Sequence, residues 1–517
     1  MRSRWRGWVV VVSLLAVAAP VAACSAGDEP RADSTPSPPT SSAAPSSSAP
    51  EGAGLARFYE QTPEWTDCRG GFECARVTVP VSYSDAGGET LELSVVRRRS
   101  AKSGDRLGSL LVNPGGPGGS GIDYARAATR VVSAEVRRRY DIVGFDPRGV
   151  GESSPVRCRS DEEIDDFVAA DGSPDDAAET RRLVQLSQRF GRRCEQAAAE
   201  VLGHVGTRDV ARDMDVLRAV VGDERLHYLG KSYGTYLGAT YAELFPGRVG
   251  RLVLDGAIDP AASGADIARE QAIGFEGALA AFIVDCSRRS GCPLPAGRTQ
   301  ALRSVQRLLD DIDRTPLRGE RGREVTQALA VLGMATALYD RSSWPILRAA
   351  LGEARRGDGT TLLLLADFYT DRGRNGRYAT NENDAIYAVN CLDHPEEGGV
   401  AAVARTADEL RRVAPHFGPY IAWSALPCHT WPEPPTNSPH EIRAAGADPI
   451  LVVGTTRDPA TPYKWAQALA GQLESGGLLT YVGDGHTAYR QGNRCVDRAV
   501  DAYLLDGTMP SEGARCR

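Results

Sequence analysis

The chain has 517 residues, 42% of them apolar and 25% charged, with a formal net charge of -7. These are the proportions of an ordinary globular protein, long enough for one large domain with an insertion or for two domains. The acidic balance lacks the basic surplus that phosphate backbones demand, which argues against a nucleic-acid partner.

The N-terminus reads MRSRWRGWVVVVSLLAVAAPVAAC: three arginines, then an apolar run of export-signal length, too short and too early for a permanent membrane span. Its end, VAAC, resembles the lipobox of bacterial lipoproteins. Residues 1–24 are therefore expected to be a lipoprotein signal peptide with Cys24 as the acylated residue; an ordinary cleavage after VAA, with Cys24 incidental, is the alternative. Residues 25–56 are so rich in Ser, Pro and Ala that they cannot build a core and read as a disordered tether. The expected location is extracytoplasmic, either anchored to the bacterial cell membrane through that lipid alone or released as a secreted form.

Eleven cysteines suit an oxidising compartment, and ten remain without Cys24. Cys68 and Cys74, Cys286 and Cys292, and Cys495 and Cys516 are close enough to pair locally. Cys158 with Cys194 and Cys391 with Cys428 would complete five bridges, although spacing does not fix connectivity. A metal site competes weakly, because neither a C-x-x-C nor an H-E-x-x-H spacing is present.

From residue 75 onward short apolar runs alternate with helical patterns, as in an α/β sheet. ARVTVPVSY and ETLELSVVRR read as an opening antiparallel pair. GSLLVNPGG, YDIVGFDPRG, LHYLGKS, GRLVLDG, ADPILVVGTT and GLLTYVGDG read as six parallel strands, each ending in a Gly- or Asp-bearing turn. In such sheets the ligand site lies beyond the carboxyl ends of the strands. Between Pro260 and Asp448 the strand rhythm gives way to helical runs, read as a cap inserted into the sheet domain. The expected organisation is core at 57–260, helical cap at 261–440, and returning core at 441–517.

LHYLGKSYGTYLG poses a choice. A P-loop needs glycine five positions before Gly230, and that position is Arg225. The remaining reading is a G-x-S-x-G nucleophile elbow, in which Gly230 and Gly234 give the tight strand-to-helix turn room and Ser232 carries the nucleophilic hydroxyl. A serine hydroxyl needs a base, and the base needs an orienting carboxylate. Asp458 in LVVGTTRDPATPY and His486 in LTYVGDGHTAY stand in the turns after the last two strands, in the order Ser, acid, His. Asp484 is the rival acid, too near His486 in sequence to reach the far ring nitrogen easily. The oxyanion requires two amide donors: one is expected from Tyr233, the other from the glycine loop NPGGPGGSG. Asp146 and Arg148 in FDPRGVGESSP read as ties between loops.

Together NPGGPGGSG, FDPRGVGESSP, GKSYGTYLG, LVLDGAIDP and GTTRDPATPY…GDGHTAY resemble the secreted tripeptidyl aminopeptidases of the α/β-hydrolase superfamily, relatives of proline iminopeptidase, over roughly residues 60 to 517. The resemblance implies an α/β-hydrolase fold, a mostly parallel eight-stranded sheet with an inserted helical cap. It implies a serine exopeptidase that releases short peptides, tripeptides foremost, from free N-termini, with Ser232, Asp458 and His486 as its triad and no cofactor. Aligning GGPG with the iminopeptidase motif points to Gly116 as the second oxyanion donor. Pro114 replaces the histidine that opens that motif, so single-residue prolyl specificity does not carry over. An aminopeptidase also needs a carboxylate for the substrate ammonium. TNENDAIYAVNCLD offers Glu382, Asp384 and Asp393, of which Asp393, beside Cys391, is the expected one. An esterase with the same triad is the alternative function, and a catalytically dead hydrolase fold kept as a lipid-anchored binding protein is a third.

Overall fold

The computed structural model describes residues 54–517 apart from Lys102. The expected signal peptide, Cys24 and the tether before residue 54 lie outside the described residues. The strands are β1 (Thr66–Asp67), β2 (Glu73–Pro80), β3 (Thr90–Arg98), β4 (Gly108–Asn113), β5 (Tyr140–Phe145), β6 (Leu226–Lys231), β7 (Val249–Asp255), β8 (Leu317–Arg318), β9 (Glu324–Val325), β10 (Ile450–Arg457), β11 (Gly476–Asp484) and β12 (Arg515–Cys516). All but the β8–β9 hairpin join one sheet in the order β1-β2-β3-β5-β4-β6-β7-β10-β11-β12. The eight strands expected from sequence form its body, and β1 and β12 are two-residue edges.

β1, β2 and β3 pair antiparallel, as do β3 and β5, and every pair beyond them is parallel. Residues of β4 and β5 are buried throughout, because helices cover both faces of the parallel region and leave no polar side. On one face Val143, Leu217, Leu237 and Leu252 share a core that includes the helices Thr207–Val220 and Tyr233–Leu244. On the other, Val112, Ile122, Val253 and Val500 do so with the helices Gly121–Arg126 and Arg494–Asp506. The chain passes from β4 to β5 on one side and returns to β6 on the other, which opens a crevice at the carboxyl ends of β4 and β6.

Residues between β7 and β10 run through a succession of helices, from Gly264–Ser287 to Gly418–Ser424, with a hydrophobic core of their own around Phe275, Phe282, Val305, Leu309 and Leu351. The helix Ala177–Leu202, which sequence assigns to the core piece, turns part of itself toward these helices: Leu183 packs with Val403, Leu410 and Trp423. Disulfides join Cys68–Cys74, Cys158–Cys194, Cys286–Cys292, Cys391–Cys428 and Cys495–Cys516. Bonds of this kind persist outside reducing cytosol.

Candidate active site

β6 ends at Lys231, and Ser232 follows with φ 55° and ψ -124° before the helix Tyr233–Leu244 begins. A non-glycine residue at positive φ costs about 1–3 kcal/mol and persists only where its surroundings over-determine it. Here the surroundings are tight. A Cβ on Gly230 would lie 2.2 Å from the Gly234 carbonyl oxygen, and one on Gly234 would lie 2.8 Å from Asn113 Oδ1. The glycine loop after β4 closes on the same bend: a Cβ on Gly115 would meet the Lys231 carbonyl at 2.5 Å and the Tyr233 nitrogen at 3.1 Å. Gly115 and Gly116 have φ of 98° and 111°, the region that favours glycine. The Tyr233 and Gly116 backbones thus belong to adjoining segments beside Ser232.

Asp458 is buried at the turn after β10, and both its oxygens accept from His486 Nδ1, at 2.9 and 3.0 Å. It also accepts from the backbone N–H of Ala460, Thr461 and Thr487 and from the Thr461 hydroxyl. These donors fix the carboxylate, and the carboxylate fixes which ring nitrogen of His486 carries the proton. The rival, Asp484, is taken up by Arg457 and Arg341. The Ser232 N–H donates to the Asp255 carbonyl at 3.0 Å, and a Cβ on the next residue, Gly256, would lie 3.4 Å from His486 Cε1. Serine and imidazole therefore flank one strand end, that of β7. Among the described residues the Ser232 hydroxyl has no hydrogen-bond partner, and contacts of this type commonly tighten only around substrate.

The cap reaches this center through Tyr339, a residue with no distinguishing signal in the sequence. Its carbonyl accepts the His486 N–H at 2.8 Å, and its ring meets the imidazole edge-on with centroids 5.3 Å apart. A second residue of the insertion, Glu382, stands at the start of the helix Glu382–Asp393. A Cβ on Gly116 would lie 3.2 Å from Glu382 Oε1, and one on Gly118 3.3 Å from Glu382 Cγ. Burial and the nearby Asp371 push its carboxyl up to about 7. Among the described residues that carboxylate has no hydrogen-bond or ion-pair partner. Its neighbors pin the helix: Asn381 donates to the Gly149 and Val156 carbonyls and accepts from Gly151, and Asp384 binds Arg159 and the Cys158 N–H.

Asp393, the residue favored from sequence for the ammonium, is elsewhere. It lies at the far end of that helix, 1% exposed, accepting the Thr207 N–H at 3.0 Å and the Thr207 hydroxyl at 2.5 Å. Burial raises its carboxyl to about 7. Thr207 in turn contacts the Tyr233 hydroxyl, so Asp393 braces the helix that follows Ser232, with both oxygens engaged and buried. Asp146 accepts from Ser120, Ile122 and Glu152, and Arg148 binds Asp213 and the carbonyls of Pro80, Val81 and His204, ties between loops as expected.

The chain is similar along most of its length to known proteins. The chain is 40% identical over 490 residues to the serine protease Hip1 of Mycobacterium tuberculosis (strain ATCC 25618 / H37Rv), which covers 90% of this chain and 93% of that protein. It is 40% identical over 512 residues to the carboxylesterase B of the same strain, covering 97% and 95%. Over 466 residues it is 32% identical to the tripeptidyl aminopeptidase of Streptomyces lividans, covering 88% and 86%. Residues 414–516 match the family described as "TAP-like protein".

The chain belongs to this TAP-like family of α/β-hydrolases. As a TAP-like protein it is a serine hydrolase, and the family match contains both Asp458 and His486. Ser232 lies upstream of that match.

Proposed function

We propose that the protein is a serine exopeptidase that releases short peptides, with tripeptides the favored unit, from free N-termini. Ser232 attacks the scissile carbonyl while His486 takes its proton; Asp458 holds the imidazole in the receptive tautomer and balances its charge. The N–H groups of Tyr233 and Gly116 receive the oxyanion. His486 then returns the proton to the leaving amine, and water hydrolyses the acyl-enzyme by the same route.

The single observation that favors an exopeptidase is the unpaired Glu382 carboxylate beside the Gly116 loop. A carboxylate in a partly dry cleft is the natural partner of a substrate ammonium, and Glu382 replaces Asp393 in that role. The names of the Hip1 and Streptomyces relatives agree with a peptidase. Paired assays on a tripeptidyl amide and its N-acetyl twin test this: the free amine is cleaved and the acetylated form is not. Equal turnover of both, or turnover of simple esters alone, would favor the esterase reading that the name of the carboxylesterase B relative raises.

Residues 261–440 act as a cap over a core made of 57–260 and 441–517, so substrate enters between them. Cys24 carries the lipid that tethers the enzyme outside the cytoplasm. Metabolic labelling with an alkyne fatty acid should mark the wild type and not Cys24→Ala; label on both would refute the anchor.

A further inference from the structure

Lys231 occupies the variable position just before the nucleophile, and no step above uses it. Its side chain is 9% exposed, and Nζ donates to the Tyr489 carbonyl at 2.7 Å, with Asp255 Oδ2 at 3.3 Å and Thr487 Oγ1 at 3.4 Å. Asp255, the last residue of β7, is fully buried. Its Oδ1 accepts the Ala488 N–H at 2.9 Å and its Oδ2 the Tyr489 N–H at 3.0 Å, while its carbonyl accepts the Ser232 N–H at 3.0 Å.

One residue thus grips the nucleophile's backbone with its carbonyl and the segment following His486 with its carboxylate. That segment needs holding. Thr487, a β-branched residue, sits at φ 65°, a conformation such residues rarely tolerate. Its N–H goes to Asp458 and its carbonyl receives the Thr455 hydroxyl. Stability alone explains the ion pair poorly, because desolvation of two buried charges offsets much of their attraction. An acid role for Asp255 is closed, since both oxygens are engaged away from His486 Nδ1, which Asp458 already holds.

We propose that Lys231 and Asp255 form a positioning pair that sets the placement of the Ser232 hydroxyl relative to the His486 imidazole. Neither touches substrate; they act through the elbow on one side and residues 487–489 on the other. The proposal rests on Ser232 and His486 carrying the chemistry.

The test compares wild type with Lys231→Met and with Lys231→Met/Asp255→Asn, which leaves no lone buried charge, after counting active sites with a fluorophosphonate. Because a displacement near 1 Å costs on the order of 100-fold, kcat per titrated site should fall by about that factor while KM stays within about threefold. In the double variant Tm should recover toward wild type without recovery of kcat. Wild-type kcat per titrated site in a variant that folds, with the loss confined to Tm, would overturn the pair's role. Hydrogen exchange on the wild type is independent of any variant: the Ala488 and Tyr489 amides should exchange only through global opening, and exchange at surface-loop rates would overturn it equally. Failure of the fluorophosphonate to label wild-type Ser232 would instead refute the proposed function and leave exchange to judge the pair.

Discussion

Asp458 orients His486 with two oxygens and is itself held by three backbone amides and a hydroxyl. Asp458→Asn keeps the shape but presents an amide that favors the wrong tautomer and turns an NH2 toward donors that an oxygen had received, so kcat should drop by roughly 10⁴ and Tm should fall as well, read by steady-state kinetics beside thermal melts. Glu382 gives a different signature. With its carboxyl raised to about 7 by burial and Asp371, it is ionised above that pH and protonated below, while the substrate α-amine loses its charge above about 8. Affinity of Ser232→Ala for a free-amine tripeptide, followed by calorimetry, should therefore peak between these limits and weaken on acidification. Glu382→Gln should remove the acid limb and cost roughly 10- to 100-fold in affinity, the worth of a charge-assisted hydrogen bond; an N-acetyl peptide should be indifferent to both changes. Asp393→Asn should lower Tm without distinguishing the two peptides. The triad candidates were legible because each stands in a turn just after an apolar strand. The carboxylate proposed for the ammonium was not: Glu382 and Asp393 open and close the same helix, about 16 Å apart at 1.5 Å per residue, and only the packing decides which end faces the glycine loop.

At the level of elements, the elbow and the glycine loop are one steric unit. Gly115→Ala would drive a methyl to 2.5 Å from the Lys231 carbonyl at a φ of 98°. It should abolish turnover and lower Tm by several degrees even though no functional group is lost, measured by activity and melting of the purified variant. The eight long strands announced themselves because burial on both faces demands continuous apolar runs, or alternation in the antiparallel pair. The two-residue strands β1 and β12 and the β8–β9 hairpin are shorter than any periodicity can reveal. The contact of the helix Ala177–Leu202 with cap residues arises from its amphipathic face meeting a distant helix, a choice of partner that one sequence does not encode visibly. Lys231 and Asp255 were hidden for a similar reason, since a buried ion pair is defined by two strand ends meeting.

Across the whole molecule, the proposed mechanism requires the helical insertion to stay seated on the sheet. Tyr339 contacts His486 from the insertion, Glu382 contacts the glycine loop from it, and the Cys391–Cys428 bridge ties the Glu382 helix to the segment before β10. Closing a loop of 37 residues stabilises by about 3–4 kcal/mol in the chain-entropy account. Cys391→Ser/Cys428→Ser should therefore lower Tm clearly and raise KM for free-amine peptides before kcat falls, in assays across a urea series.

The central claim is a serine-dependent exopeptidase that reads a free N-terminus, and a mass-spectrometric time course on one long peptide and its N-acetyl twin tests it most directly. Wild-type enzyme should release successive short N-terminal fragments, predominantly tripeptides, from the free peptide and nothing from the acetylated one, and Ser232→Ala should release nothing from either. Internal cleavage, equal digestion of both peptides, or undiminished release by Ser232→Ala would contradict the account.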